Sequence, residues 1–324
     1  MKFLNILIIA HIIYFCNIIV DVRLGKTEGK YMVLRYDCGE VITAMVTPME
    51  KSGAIDYDKV EVLAKHLIEN GSDALLVAGT TGESPTLTNE EEIELVSTVK
   101  RAVANRAKII LGAGSNSTAS AFEYSKFAQK EGVDAILSVV PYYNKPNQKG
   151  MIEHFSAVAE STDLPIILYN IPSRTGVNML PETVAYLAEK YSNIVALKQS
   201  FADMDKITEL KMLCPDDFVI YSGDDSLTLP MLSLGAHGVI SVASHLVGSE
   251  IKSMIRNYKT GDVLAARNMH KKLYPVFKNL FMAPNPVPVK AALEYKGLID
   301  SHVRKPLTGL SDDEKNTLFR IIDE

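Results

Sequence analysis

Lys198 ends the apolar run of NIVALKQS, which carries an ammonium into or beside an apolar interior. Burial penalises the charged form and lowers a lysine's pKa. At an ordinary pKa near 10.4, fewer than about one lysine in a thousand is neutral at pH 7, so an amine nucleophile needs such surroundings. Its natural chemistry is a Schiff base with a carbonyl compound; a strand-end lysine can also snorkel to solvent or pair with a carboxylate. GTTGES (79–84) offers two glycines, backbone amides and the hydroxyls of Thr80 and Thr81. That composition suits a small carboxylate, a phosphate or simply a tight turn before Pro85. Tyr143 in PYYN and Tyr169 in LYNIPSRTG are phenols that can pass protons if neighbours hold them, although tyrosine is also an ordinary core residue. Arg174 presents a planar fork suited to a carboxylate or to a surface ion pair.

These residues need a scaffold that brings strand ends together. From Val41 onward, β-branched runs alternate with stretches of helical period, the pattern of repeated βα units. The predicted strands are 41–48, 74–83, 108–114, 135–143, 165–172, 194–200, 218–225 and 238–245. Eight is the number that closes a parallel barrel. Gly71, Gly132 and Gly235 each sit between a helix and the next strand, where a left-handed C-cap is needed. Helices predicted at 249–259, 262–281, 285–297 and 311–322 exceed what one barrel requires. The fold class is therefore α/β, a (β/α)8 TIM barrel with a small C-terminal helical layer. The competing doubly wound sheet would need a Gly-rich first turn, and TPMEKSG has none. In the barrel, Thr80, Thr81, Tyr143, Tyr169 and Lys198 all converge at the C-terminal ends of strands.

The chain divides into an N-terminal extension (1–35), a barrel (36–260) and a C-terminal helical region (261–324). Phe3–Val20 is an apolar run long enough to span a bilayer, but Asn5, His11 and Asn17 interrupt it and a second methionine, Met32, follows. The first 31 residues are read as an extension unrelated to the fold, and any membrane association would run only through residues 3–20. The net charge of -5 is mild and unclustered, so nucleic acid is not an expected partner. Cys16, Cys38 and Cys214 form no metal or disulfide spacing, and the dispersed histidines form no ligand pair. Asp224 and Asp225 in SGDD lack a further acid that would hold Mg²⁺, and no metal is expected.

GTTGES, PYYNKP, LYNIPSRTG, the lysine of IVALKQS, SGDD and HGVISV, in this order, resemble the 4-hydroxy-tetrahydrodipicolinate synthases (dihydrodipicolinate synthases) of the pyruvate-dependent class I aldolase superfamily. The resemblance runs from about Gly39 to the C-terminus. It implies a lyase that condenses pyruvate with L-aspartate 4-semialdehyde in diaminopimelate and lysine biosynthesis, as a cytoplasmic homotetramer built as a dimer of dimers. It implies no cofactor, only a covalent lysine-pyruvate imine. The implied catalytic set is Lys198, Tyr169, Thr80, Thr81 and Tyr143. Lys198 would form the imine and Tyr169 would give and take protons. Thr81 would bind the pyruvate carboxylate and join a relay with Tyr143 from a neighbouring subunit. Thr80, with the Gly223 and Ile240 backbone, would shape the pyruvate pocket, and Arg174 would hold the semialdehyde carboxylate. N-acetylneuraminate lyase, a related Schiff-base aldolase, is the alternative; as a rule it lacks an arginine matching Arg174. Gln199 replaces the family's usual glutamate, which would slightly lower the Lys198 pKa. Tyr142 and Asn116 match the lysine-binding cleft of inhibited members. Asn89, Glu92 and Ser120 stand where those enzymes have two histidines and a glutamate, so weak or absent inhibition by L-lysine is expected.

Overall fold

The computed structural model describes residues 34–323. The expectations for the N-terminal extension, including membrane association through residues 3–20, fall outside the described residues. Eight strands form a closed parallel barrel in chain order, with the last pairing back to the first. They are β1 (Val41–Ala44), β2 (Ala74–Val77), β3 (Lys108–Gly112), β4 (Ala135–Val139), β5 (Ile166–Asn170), β6 (Ile194–Gln199), β7 (Val219–Ser222) and β8 (Gly238–Ser241). Most stop several residues before the apolar runs that predicted them. In the first run, Met45, Val46 and Thr47 have left β1 yet remain buried, so apolar character persists where the ladder has ended.

The surrounding helices are α1 (Tyr57–Glu69), α2 (Asn89–Val103), α3 (Thr118–Glu131), α4 (Gln148–Glu160), the single turn α5 (Pro172–Thr175), α6 (Pro181–Lys190), α7 (Met204–Leu213), α8 (Thr228–Ser233) and α9 (Ser244–Lys259). Helix α1 shows how local sequence builds them. Asp56 caps its first turn by accepting from the Lys59 amide at 3.0 Å. Val60, Leu63, Ala64 and Leu67 then fall on one face and are buried. Thr88 and Glu91 form a reciprocal capping box at the start of α2. Gly71, Gly132 and Gly235 have φ of +97°, +65° and +92°, which is the left-handed geometry expected at those junctions. Among the described residues, no helix is long and apolar enough to cross a membrane.

Helices α10 (Val263–Asn279), α11 (Val287–Tyr295) and α12 (Asp312–Asp323) follow the barrel. This C-terminal segment reaches back to the loop after β2. Glu83, held at φ +58°, and Lys290 are both buried and pair at 2.6 Å. Lys290 also donates to the His302 carbonyl at 2.6 Å, and the Arg304 amide donates to the second Glu83 oxygen at 2.9 Å. The Arg304 guanidinium pairs with Glu91 and donates to the Gly53 carbonyl at 2.8 Å. Every charge in this group has a partner, the condition under which buried ions are tolerated.

Removing one partner leaves an unpaired buried carboxylate. Lys290→Met is expected to destabilise the fold by about 3–5 kcal/mol in chemical denaturation, and adding Glu83→Gln to recover much of that loss. A loss below about 1 kcal/mol in the single variant would show that water or another cation reaches Glu83.

Candidate active site

Lys198 is the fifth residue of β6, in register with Tyr169 on β5 and Tyr221 on β7. In-register residues of neighbouring parallel strands face the same side, so Lys198 and Tyr169 share one face at one level of the barrel. The Lys198 Nζ lies 4.4 Å from the centre of the Tyr169 ring. Only 6% of Lys198 is exposed, and burial pulls its pKa from the usual lysine range down to about 8. The Asp225 carboxylate opposes that shift, while the Arg174 guanidinium adds to it.

Tyr169 is also buried, and burial raises its pKa. Ser200, the Arg174 charge and Thr80 draw it back, which places two hydroxyls and a cation around the phenol. Room for this cluster depends on Gly223, just beyond β7. A Cβ there would lie 1.9 Å from Ser200 Oγ and 3.1 Å from both Cε and Cγ of Lys198. The Gly223 amide donates to the Gln199 carbonyl at 2.8 Å, which fixes the loop against β6. Ile240, on β8, is buried. Arg174 is exposed on the one-turn helix α5, which Pro172 opens and Gly176 ends at φ +75°.

The two threonines of GTTGES diverge. Thr80 is exposed and approaches the Tyr169 phenol, whereas Thr81 is buried and its Oγ1 accepts from Asn285 Nδ2 at 2.9 Å. Of the two threonines, Thr80 is the one beside the Tyr169 phenol. The resemblance names both threonines in the catalytic set, Thr81 for the carboxylate and the relay and Thr80 also for the shape of the pocket. Tyr143 stands apart from both: it is 89% exposed, on the loop after β4, with φ +73°. Lys145 in the same loop has φ +50°. Non-glycine residues held left-handed cost on the order of 1 kcal/mol each and cluster where function demands a shape.

A family model for the dihydrodipicolinate synthetase family matches residues 37–324. The chain belongs to the dihydrodipicolinate synthetase family. It is 50% identical over 287 residues to a 4-hydroxy-tetrahydrodipicolinate synthase of Desulforamulus reducens, covering 89% of this chain and 97% of that one. A synthase of the same name from a Synechococcus species is 53% identical over 286 residues, covering 88% of this chain and 93% of that one. Among solved structures, a DHDPS from Cyanidioschyzon merolae with lysine bound has a TM-score of 0.87 at 49% identity, covering 88% of this chain and 97% of that one.

As a dihydrodipicolinate synthetase family member, the chain shows features that its sequence did not announce. Gln199 faces away from Lys198 by strand alternation, and its Oε1 accepts from Asn170 Nδ2 at 3.0 Å. Asn170 in turn donates to Asn178 at 2.8 Å, so residue 199 serves a buried amide chain on the other side of the strand from the amine. Asp225 accepts from Ser241 Oγ and from the Val242 and Ala243 amides at 3.1 and 3.0 Å. It ties the loop after β8 and supplies the negative charge that Lys198 feels. Ser200 could have been found from the two-residue strand period that places it on the Lys198 face. Asn285 was read only as the start of the helix predicted at 285–297, because its partner is distant in sequence.

Glu92 was named from the resemblance only as a departure from the lysine-binding cleft of inhibited members. It lines a cleft of about 220 Å³ with Ser84, Ser120, Tyr124 and Tyr142. Only 3% of it is exposed, its Oε2 has no hydrogen-bond partner among the described residues, and burial pushes its pKa up to about 7.

Gly223→Ala is expected to fold but to lose Lys198 reactivity. Borohydride trapping of a pyruvate imine, read by mass spectrometry, should fall by at least about tenfold, because backbone or Lys198 must move to accept the Cβ. Trapping at the parent rate would show that the loop yields instead.

Proposed function

We propose that this enzyme condenses pyruvate with L-aspartate 4-semialdehyde to 4-hydroxy-tetrahydrodipicolinate, with Lys198 as the nucleophile. The observation that carries this reading is the buried Lys198 amine with its depressed pKa beside the Tyr169 phenol. At a pKa of about 8, roughly one amine in ten is neutral at pH 7, some hundredfold or more above an ordinary lysine. The neutral Nζ adds to the ketone carbon of pyruvate, and water leaves as the iminium forms. Loss of a methyl proton gives the enamine, whose carbon attacks the aldehyde of the second substrate. The amino group of that substrate then displaces Lys198 and closes the ring. One water is released overall, and the enzyme amine is regenerated.

In this proposal Tyr169 gives and takes the protons of imine formation, with Thr80 as its adjoining hydroxyl. Thr81 and the loop amides hold the pyruvate carboxylate, and Gly223 and Ile240 shape the pocket. Arg174, exposed at the mouth of the barrel, receives the acid group of the semialdehyde. Its presence favours the synthase over the N-acetylneuraminate lyase alternative. The proposed chemistry needs no cofactor beyond the covalent imine. We place the reaction in the cytoplasm, where both substrates are made.

The exposure and left-handed backbone of Tyr143 support its use by a neighbouring copy, in a homotetramer built as a dimer of dimers. We retain the division into a barrel (36–260) and a C-terminal helical region (261–324), with the second clamping the β2 loop of the first.

Turnover of pyruvate with L-aspartate 4-semialdehyde, lost in Lys198→Ala, tests this function, with N-acetylmannosamine as the competing acceptor. Imine formation should rise with pH as the amine deprotonates and level off above about 8. Turnover only with the sugar would move the enzyme to the alternative activity, and a rise continuing to about pH 10 would remove the depressed amine.

A second observation bears on regulation. The weak lysine inhibition expected from the sequence counted a lost carboxylate at position 120, but Glu92 brings one into the same cleft. We therefore propose that L-lysine inhibits through this cleft. Because Glu92 must be charged to meet an ammonium, inhibition should strengthen as pH rises from 6 to 8, through a pKa of about 7. Glu92→Gln should remove that pH dependence. Inhibition that is absent at pH 8 would restore the expectation drawn from the sequence.

A further inference from the structure

Asn285 is a side chain of the C-terminal segment that touches the β2 loop directly, yet the mechanism above leaves it without a role. Its Nδ2 lies 2.9 Å from Thr81 Oγ1, both residues are buried, and its own Oδ1 is buried without a hydrogen-bond partner. A threonine hydroxyl has one proton to give and two lone pairs to receive with. When an amide donates into one lone pair, the single proton is left free to point elsewhere.

We propose that Asn285 is a positioning residue that sets the direction of the Thr81 hydroxyl, so that its proton is presented to the carboxylate of the first substrate. This rests on the reading of Thr81 as a pyruvate-carboxylate contact. The opposite arrangement, with the amide oxygen accepting from Thr81, would consume the only proton that Thr81 can offer an anion. It would also bury the amide Nδ2 without an acceptor. Two further contacts keep Asn285 in place: the Lys290 pair with Glu83, two residues from Thr81, and the Arg304 amide bond to the same carboxylate. Two side chains of the β2 loop, Thr81 and Glu83, are thus held by three contacts from the C-terminal segment. The direction of a hydroxyl in the barrel mouth is set from outside the barrel.

The test is Asn285→Asp, which preserves shape but can only accept. Its carboxylate takes the Thr81 proton and places a negative charge near the substrate anion. The expected result is a rise of about tenfold or more in the pyruvate KM, with kcat and the semialdehyde KM changed by less than about threefold. Asn285→Ser keeps a hydroxyl donor and should fall between parent and Asp. Combining Asn285→Asp with Thr81→Val should add less than about twofold to the pyruvate KM of Thr81→Val alone, because the two residues act through one bond. An unchanged pyruvate KM in Asn285→Asp, or effects that multiply in the double variant, would overturn the proposal. So would an equal loss in kcat and both KM values, which marks a general structural role. Should Asn285→Asp fail to fold, Asn285→Ser in the Thr81→Val cycle decides by the same criterion.

Borohydride trapping at graded pyruvate concentrations separates this inference from the synthase reading. A parent enzyme that traps pyruvate but does not use the semialdehyde defeats the synthase reading alone, and the half-saturation of trapping then reads Asn285. A parent that turns over while Asn285→Asp traps with unchanged half-saturation defeats this inference alone. No trapping by the parent defeats both.

Discussion

The burial of one ammonium, Lys198, is the constraint on which the rest of the structure depends. A charged amine in an apolar barrel is unfavourable, and the protein responds by weakening the amine's hold on its proton rather than by pairing it directly. Asp225 lies close enough to moderate that shift, but its oxygens are committed to the loop after β8. A carboxylate placed directly on Nζ would have stabilised the ammonium and suppressed the neutral amine. The site thus balances two demands: enough negative field to tolerate the group, and too little to lock it as a cation.

Space is the second demand. Lys198 can lie over the Tyr169 ring because residue 223 has no side chain and the loop after β7 closes against β6. The phenol is itself buried, which makes it a reluctant acid unless hydroxyls or a cation stand beside it, and Thr80, Ser200 and Arg174 supply these. The loops at the strand ends carry backbone strain at Glu83 and Tyr143 that the strands do not. At Glu83 the compensation is visible in the buried pair with Lys290 and in the Arg304 amide. The C-terminal helices therefore brace the mouth of the barrel as well as covering its side.

All eight strands were legible because a parallel strand buried on both faces reads as a short β-branched run, and each run was followed by a helical period. Their ends were not. Residues such as Met45 and Val46 stay buried after leaving the ladder, and hydrophobicity reports burial rather than hydrogen bonding. The same limit affected the site. Lys198, Tyr169 and Arg174 stood out because each is a chemically capable residue at the end of an apolar run. Asn285 and Lys290 did not, because an amide in a Pro-rich stretch and a lysine in a helix look like surface residues until their neighbours are known.

The sequence by itself pointed to the lysine of the sixth strand as the residue suited to amine chemistry, to the strand that carries Tyr169 and the turn that carries Arg174, and to the glycines that turn the chain between helix and strand. These follow from residue type and local period, which neighbouring positions are enough to specify. Only the tertiary structure decided which threonine meets Tyr169 and which meets Asn285, that Gln199 turns away from the amine, and that Glu92 is buried with one oxygen unpartnered. Each of those outcomes depends on distance and desolvation, which are sums over groups from several elements far apart in the chain.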